Sequence, residues 1–187
     1  YMFPRGTSDI AFLKRAYNTM QTFLAKSWAE RAEDTVVDTP YEALTLASII
    51  EKETAKGDER ERIAGVYSRR LTQGMRLQSD PSVIYGIADY DGNIHKSDLR
   101  RDTPYNTYTR KGLPPTPIAM PSRASIKAAL HPADGDALYF VARGDGSSQF
   151  SRSLREHNQA VNHFQKNRRF RKMMRQKRLE QNSSSTL

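Results

Sequence analysis

The chain has 187 residues, 30 Lys and Arg against 21 Asp and Glu, a formal net charge of +9, and no cysteine. That length supplies one core, or one core with an appendage. The lack of Cys excludes disulfide staples, Cys-ligated zinc, iron–sulfur clusters and thiol catalysis, and no apolar run reaches the ~18 residues of a membrane span.

The opening Tyr1-Met2-Phe3-Pro4 has no leader pattern and reads as the start of a piece cut from something longer. Ser8 and Asp9 begin an amphipathic helix with Ile10, Leu13, Tyr17, Met20 and Leu24 on one stripe, extending to about Trp28. Thr39-Pro40-Tyr41-Glu42 predicts a capped start, with Thr39 as N-cap, Pro40 at N1 and Glu42 closing a capping box. This second helix is expected to run to Gly57, and a third from Asp58 to Gly74 with Ile63, Val66, Tyr67 and Leu71 inward. Met75-Arg76-Leu77-Gln78 alternates like a short strand. Asp80-Pro81 repeats the N-cap-plus-proline start, with Tyr85 expected to pack in the core, and Asp91-Gly92-Asn93 marks a turn.

From Asp102 to Ser122 runs a proline-rich stretch with Tyr105, Asn106 and Tyr108, too long for a plain connection. Ser122 caps a short helix ending at His131-Pro132. Leu138–Ala142 and Gln149–Ser151 flank Gly144-Asp145-Gly146 as a hairpin, and Ser153 with Glu156 starts a long final helix with Val161 and Phe164 inward. The charge is concentrated at the end: residues 166–187 hold eight basic side chains and one acid, a net of +7, which leaves +2 for the other 165 residues. A polyanion-binding reading therefore rests on the tail alone. The class is α+β, helix-rich, with short strands and a β-hairpin.

No nucleophile elbow or phosphate-cradling glycine loop is present, and His95, His131, His157 and His163 lack metal-ligand spacing, so the sequence calls for no metal and no cofactor. Glu51 and Glu53 share a helix but are turned by about 200° from each other. Lys56 at i+3 offers Glu53 a solvent-side partner. Glu51 has only Ala47, Ser48, Thr54 and Ala55 on its face, a setting that favours a raised pKa and general-acid chemistry if the surroundings close over it. The other reading of Glu51 is a plain surface residue.

Leu46-Ala47-Ser48-Ile49-Ile50-Glu51-Lys52-Glu53-Thr54 resembles the signature of the YceG-like (MltG) endolytic murein transglycosylases. Further blocks resemble the family in order: Arg69-Arg70-Leu71 with Gly74 to Gly86, Tyr105-Asn106-Thr107-Tyr108 with Gly112-Leu113-Pro114-Pro115, Ala128 to Pro132, Leu138 to Val141, and His157-Asn158. The resemblance implies a catalytic domain over 35–165, preceded over 1–34 by the end of a LysM-like subdomain with its connecting helix; the basic helical tail over 166–187, frayed at its end, is read from the charge pattern and matches nothing in the family.

It further implies a lyase-type cut of the MurNAc-β-1,4-GlcNAc bond that leaves a 1,6-anhydro end, with Glu51 as the single acid/base and Glu53 tolerant of substitution. Gln78, Ser79, Asp80, Tyr105, Asn106, Tyr108 and Asn158 are candidate substrate contacts. Asp80 reads equally as an N-cap, Tyr105, Asn106 and Tyr108 as loop anchors, and Asn158 as a helix-face hydrogen-bonder. The implied partners are peptidoglycan strands and peptidoglycan synthases. The implied setting is the periplasmic face of the inner membrane, reached through an N-terminal span outside this sequence, with a role in ending strand growth. A non-catalytic peptidoglycan-binding module is the competing reading, and nucleic-acid binding is not expected.

Overall fold

The computed structural model describes residues 2–166, so the expected basic tail lies, beyond Lys166, outside the described residues. The chain divides into two compact units, Tyr1–Ala133 and Asp134–Leu187. That boundary falls inside the span expected to form one catalytic domain.

The first unit is built around α2 (Pro40–Glu53). Its start forms as the sequence predicts: Thr39 Oγ1 accepts from the Glu42 amide, and the Glu42 carboxylate accepts from the Thr39 amide. Six consecutive residues, Thr45 to Ile50, are buried, so every face of the middle of this helix is covered. Leu46, Ile49 and Ile50 are fully buried, each contributing roughly 1.5–3 kcal/mol of transfer free energy. The partners are α1 (Asp9–Ala29), α3 (Arg60–Thr72), α4 (Asp80–Tyr85) and α6 (Arg123–Leu130), which all pack on α2 or on its neighbours. Two polar residues inside this core are satisfied locally. Thr45 and Ser48 donate to the carbonyls of Tyr41 and Thr45, and Ser48 Oγ also accepts from the Ile118 amide, tying the long loop to the helix.

Several boundaries differ from expectation. α2 ends at Glu53, where Thr54 turns extended (φ −143°, ψ 139°), four residues before Gly57. A 3₁₀ turn over Gly57–Glu59 then leads into α3. Residues 75–78 form no strand. The Gln78 amide instead donates to the Thr107 carbonyl and the Ser79 amide to Thr107 Oγ1, stitching this segment to the proline-rich loop, with Gln78 at φ +53°. The N-cap of α4 is Ser79, not Asp80, and its side chain makes no capping bond. Tyr85 is 51% exposed rather than in the core. An additional short helix, α5 (Lys96–Arg100), follows the Asp91 turn. Gly65 lies within α3 where the chain passes closely: a Cβ there would sit 2.3 Å from the Ala133 carbonyl oxygen.

The second unit is a hairpin of β1 (Tyr139–Ala142) and β2 (Ser148–Ser151), antiparallel with Phe140 opposite Phe150, on which α7 (Leu154–Val161) packs. Ser153 caps α7 as predicted, accepting from the Glu156 amide. The final helix is shorter than expected, giving way to a π turn over Asn162–Lys166, and Ala160 is its buried residue while Val161 and Phe164 are half-buried.

The close pass at Gly65 makes a direct prediction. Gly65→Ala forces a methyl group into backbone oxygen and should destabilise the first unit by about 1–3 kcal/mol, read as a lower urea midpoint with an unchanged slope.

Candidate active site

The two glutamates leave the buried stem of α2 at its C-terminal end, where unsatisfied carbonyls and the helix dipole disfavour negative charge. Each therefore needs donors from elsewhere, and the fold answers this differently for each.

Glu51 is turned toward the start of α6. Its Oε2 accepts from the Ser122 amide (2.9 Å), Ser122 Oγ (2.6 Å) and Ser125 Oγ (2.6 Å). Burial pushes this carboxyl up, but the two hydroxyls, the amide and the charge of Arg60 outweigh it, and the pKa lies below the usual 4.5. The expectation of a raised value is thus overturned. The reason is that the donors come from α6, distant in sequence, and not from the Glu51 helix face.

Glu53 also departs from expectation. Because α2 stops at Glu53, Lys56 is not one helical turn away, and its amide is instead held by Thr54 Oγ1. Glu53 Oε1 accepts from Tyr67 Oη (2.6 Å) and Ser79 Oγ (2.7 Å), while Oε2 has no hydrogen-bond donor among the described residues. Burial raises the pKa, the Tyr67 and Ser79 donors oppose it, and the Asp80 charge raises it again. The net shift is upward. The same enclosure raises the phenol of fully buried Tyr67, which keeps it a donor.

Around Glu53 stand several of the predicted contacts. Ser79 is buried and spent on Glu53; Gln78 and Asp80 flank it and are exposed. Tyr108 donates to Asp80 Oδ1 (2.6 Å), which, with burial, raises its own pKa. Arg70 is buried on the other side, donating to the Leu77 carbonyl and reaching Gln78 Oε1 at 3.5 Å. Tyr105 bonds Thr116 and meets Tyr85 edge to face, leaving an aromatic pair partly in solvent.

Asn106 is not brought to the surface. It is fully buried, its amide donating to the carbonyls of Asp98 and Arg101 and its oxygen accepting from the Tyr108 amide. It is the loop anchor, with no atom left for a ligand. Asn158 lies exposed on α7 in the second unit. The Leu113-Pro114-Pro115 wall lines a cavity of about 480 Å³ with Thr39, Glu42 and Leu71. That is at the N-terminal end of α2, roughly 20 Å from Glu53 at 1.5 Å per residue. Sequence reasoning missed Tyr67, Ser122 and Ser125. Tyr67 reads as one more apolar-stripe residue, and only its hydroxyl, useless in a sealed core without an acceptor, signalled otherwise.

The YceG-like family model matches residues 1–163. The chain belongs to the YceG-like family. Among curated relatives, the endolytic murein transglycosylase of Bacillus subtilis is 43% identical over 120 residues, 64% of this chain and 33% of that protein. The endolytic murein transglycosylase of Streptococcus pneumoniae serotype 2 is 36% identical over 129 residues, 66% of this chain and 23% of that protein. The chain thus spans a third or less of the length of these relatives. A crystal structure of a YceG-like protein from Listeria monocytogenes superposes with a TM-score of 0.71 at 33% identity, covering 85% of this chain and 51% of that one. The YceG-like fold is α+β and helix-rich here, and among the described residues no helix is long and apolar enough to cross a membrane.

Two predictions follow the chemistry of each carboxylate. The ionised form of Glu51 stabilises the fold above pH 4.5, and that contribution is lost as pH falls through its depressed value. Glu51→Gln should therefore cost about 1–3 kcal/mol at neutral pH, with the gap to the wild type closing under acid conditions in pH-dependent thermal melts. Glu53 has the opposite sign: its protonated form is favoured, a contribution present below 4.5 and lost as pH rises through the raised value. Tyr67→Phe removes a donor to the carboxylate and should shift the Glu53 titration further upward, as followed by carboxyl-carbon NMR.

Proposed function

We propose that the chain is the catalytic portion of a peptidoglycan lytic transglycosylase, with Glu53 as its single general acid and base. The observation that carries this reading is Glu53 itself: a carboxyl raised by enclosure, two donors on Oε1, and no donor on Oε2 among the described residues. A general acid must hold its proton near neutral pH and release it along the reaction path. Glu51, tied by three donors and shifted downward, is poorly suited to that task. Its role in this proposal is to join the end of α2 to the start of α6. The names of the Bacillus and Streptococcus relatives support the substrate and reaction type.

In the proposed reaction, protonated Glu53 Oε2 donates to the glycosidic oxygen as the bond from muramic C1 breaks through an oxocarbenium-like state. The carboxylate then accepts the proton of the same sugar's C6 hydroxyl as O6 bonds to C1. One bond breaks, one forms, no water is consumed, and the carboxyl ends as it began. One carboxyl suffices because the substrate brings the nucleophile, whereas hydrolytic glycosidases use two carboxyls roughly 5–9 Å apart. Gln78, Asp80 and Tyr108 are the proposed polar contacts to the sugars, and the exposed Tyr85 beside Tyr105 is a proposed stacking face. An endolytic cut inside a strand, a role in ending strand growth beside peptidoglycan synthases, and a membrane-anchored setting on the periplasmic side belong to the same proposal.

The test is digestion of purified peptidoglycan followed by mass analysis. Wild type should release anhydro-ended fragments. Glu53→Gln should lower the rate by roughly 10²–10⁴-fold with an unchanged circular dichroism spectrum. At a temperature where it remains folded, Glu51→Gln should keep most of its activity. Hydrated ends, or loss of cleavage in a folded Glu51→Gln with Glu53→Gln still active, would overturn the assignment.

A further inference from the structure

A wide groove of the first unit does not include Glu53 in its lining. It lies between α1 and α6, encloses about 820 Å³, and is lined by Lys14, Arg15 and Lys26 from α1, Arg123 and Lys127 from α6, and Phe23 between them. Glu30, its one acidic lining residue, is 3.9 Å from Lys26 and offsets that ammonium. Lys14 and Lys127 are exposed and make no ion pair among the described residues. The Arg123 guanidinium is held over the Phe23 ring at 5.0 Å, fixing a cation at the groove wall.

Gathering these cations is unfavourable by itself, since like charges repel. It also runs against the composition, because the first 165 residues carry a net of only +2. The volume falls in the ~300–1,000 Å³ range of compact ligand sites, suited to a short anionic chain and not to a long polymer. Its position supplies the second argument. Arg123 opens α6 one residue after Ser122, whose hydroxyl holds Glu51, and Glu51 is two residues from Glu53. One wall of the groove therefore starts at the α2/α6 junction, on the Glu51 side of the helix end that also carries the proposed acid.

We propose that the α1/α6 groove binds the carboxylate-bearing stem peptide of the peptidoglycan strand, with Lys14, Arg123 and Lys127 as its carboxylate partners. The inference rests on the transglycosylase reading for the identity of the ligand. Stem peptides branch from alternate sugars and carry several free carboxylates, separated by amides that can bond Asn18 and Thr22 in the lining. The groove would then favour peptide-bearing glycan over bare glycan and set which sugar is presented to Glu53.

Calorimetry with a synthetic stem tetrapeptide tests this without any turnover, so its outcome is independent of whether Glu53 cleaves. The wild type should bind the peptide, and binding should weaken with added salt. Lys14→Gln/Lys127→Gln should raise Kd by about three- to tenfold, as expected for two partly solvated ion pairs, and Arg123→Gln should do so separately. Lys96→Gln on α5 should leave Kd unchanged. The analogue with every carboxyl amidated should bind much more weakly. No binding of the peptide to the wild type would overturn the proposal, as would equal affinity of the double variant, or equal binding of the amidated analogue. Capture of inorganic polyphosphate in place of the peptide would also overturn it, by making the groove a phosphate site.

Discussion

Everything in the first unit depends on ending a helix that is buried on all sides. α2 is covered from Thr45 to Ile50, so the apolar contacts fix its position and leave no freedom to slide or rotate. A helix end inside such packing presents carbonyls that lack intrahelical partners and a negative dipole end. Two glutamates at that end would ordinarily be a liability. The fold turns the liability into two distinct environments by directing one carboxylate to each side.

On one side, the Glu51 carboxylate meets the start of α6, where the Ser122 amide and two serine hydroxyls point outward and the dipole favours negative charge. The negative end of one helix is thereby matched to the positive end of another, and the α2/α6 contact gains a polar fastening beside its apolar one. On the other side, Glu53 faces the segment between α3 and α4. There the chain abandons strand geometry, Gln78 takes a left-handed conformation, and Thr107 ties the segment to the proline-rich loop. That conformation is uncommon for a residue with a side chain. It brings Ser79 Oγ to Glu53 while Asp80 turns out to meet Tyr108.

The helices were legible because their signals are local. Thr39-Pro40 with Glu42, Ser122 before Arg123, and Ser153 with Glu156 each contain the donor and acceptor within a few residues; the first two form as read, while at Ser153 only the forward bond forms and the Glu156 carboxylate accepts from the Arg152 amide instead of closing a capping box. The hairpin was legible from its glycine turn and flanking β-formers. The electrostatics of the site were not. Whether Glu51 or Glu53 is raised depends on Ser122 and Ser125, 71 and 74 residues away from Glu51, and on Tyr67 and Ser79, 14 and 26 residues away from Glu53. A helical wheel of α2 cannot carry that information. The wheel also failed at Lys56, because it presumes that the helix continues, and α2 stops first. Asn106 was recognised as polar and conspicuous, but burial decides whether an amide serves a ligand or a loop, and burial is a property of the packed chain.

The balance at Glu53 bears on why the proposed chemistry needs an intermediate setting and not an extreme one. Burial and the nearby Asp80 charge both favour the protonated form, while Tyr67 and Ser79 favour the ionised form by donating to Oε1. Without the two donors, enclosure would hold the Glu53 proton more firmly. Without enclosure, the donors would leave a carboxylate already ionised, as at Glu51. Both donors use the same oxygen, so in the proposed reaction the acidic proton would sit on Oε2, and the charge appearing after its transfer would fall on a group already hydrogen-bonded. No reorganisation is then required at the moment of transfer, which is the condition under which fixed dipoles lower a barrier most effectively. Tyr67 meets this demand because it is locked in the core with its hydroxyl on Glu53. The hydrophobic stripe of α3 and the electrostatic tuning of Glu53 are thus set by the same side chain.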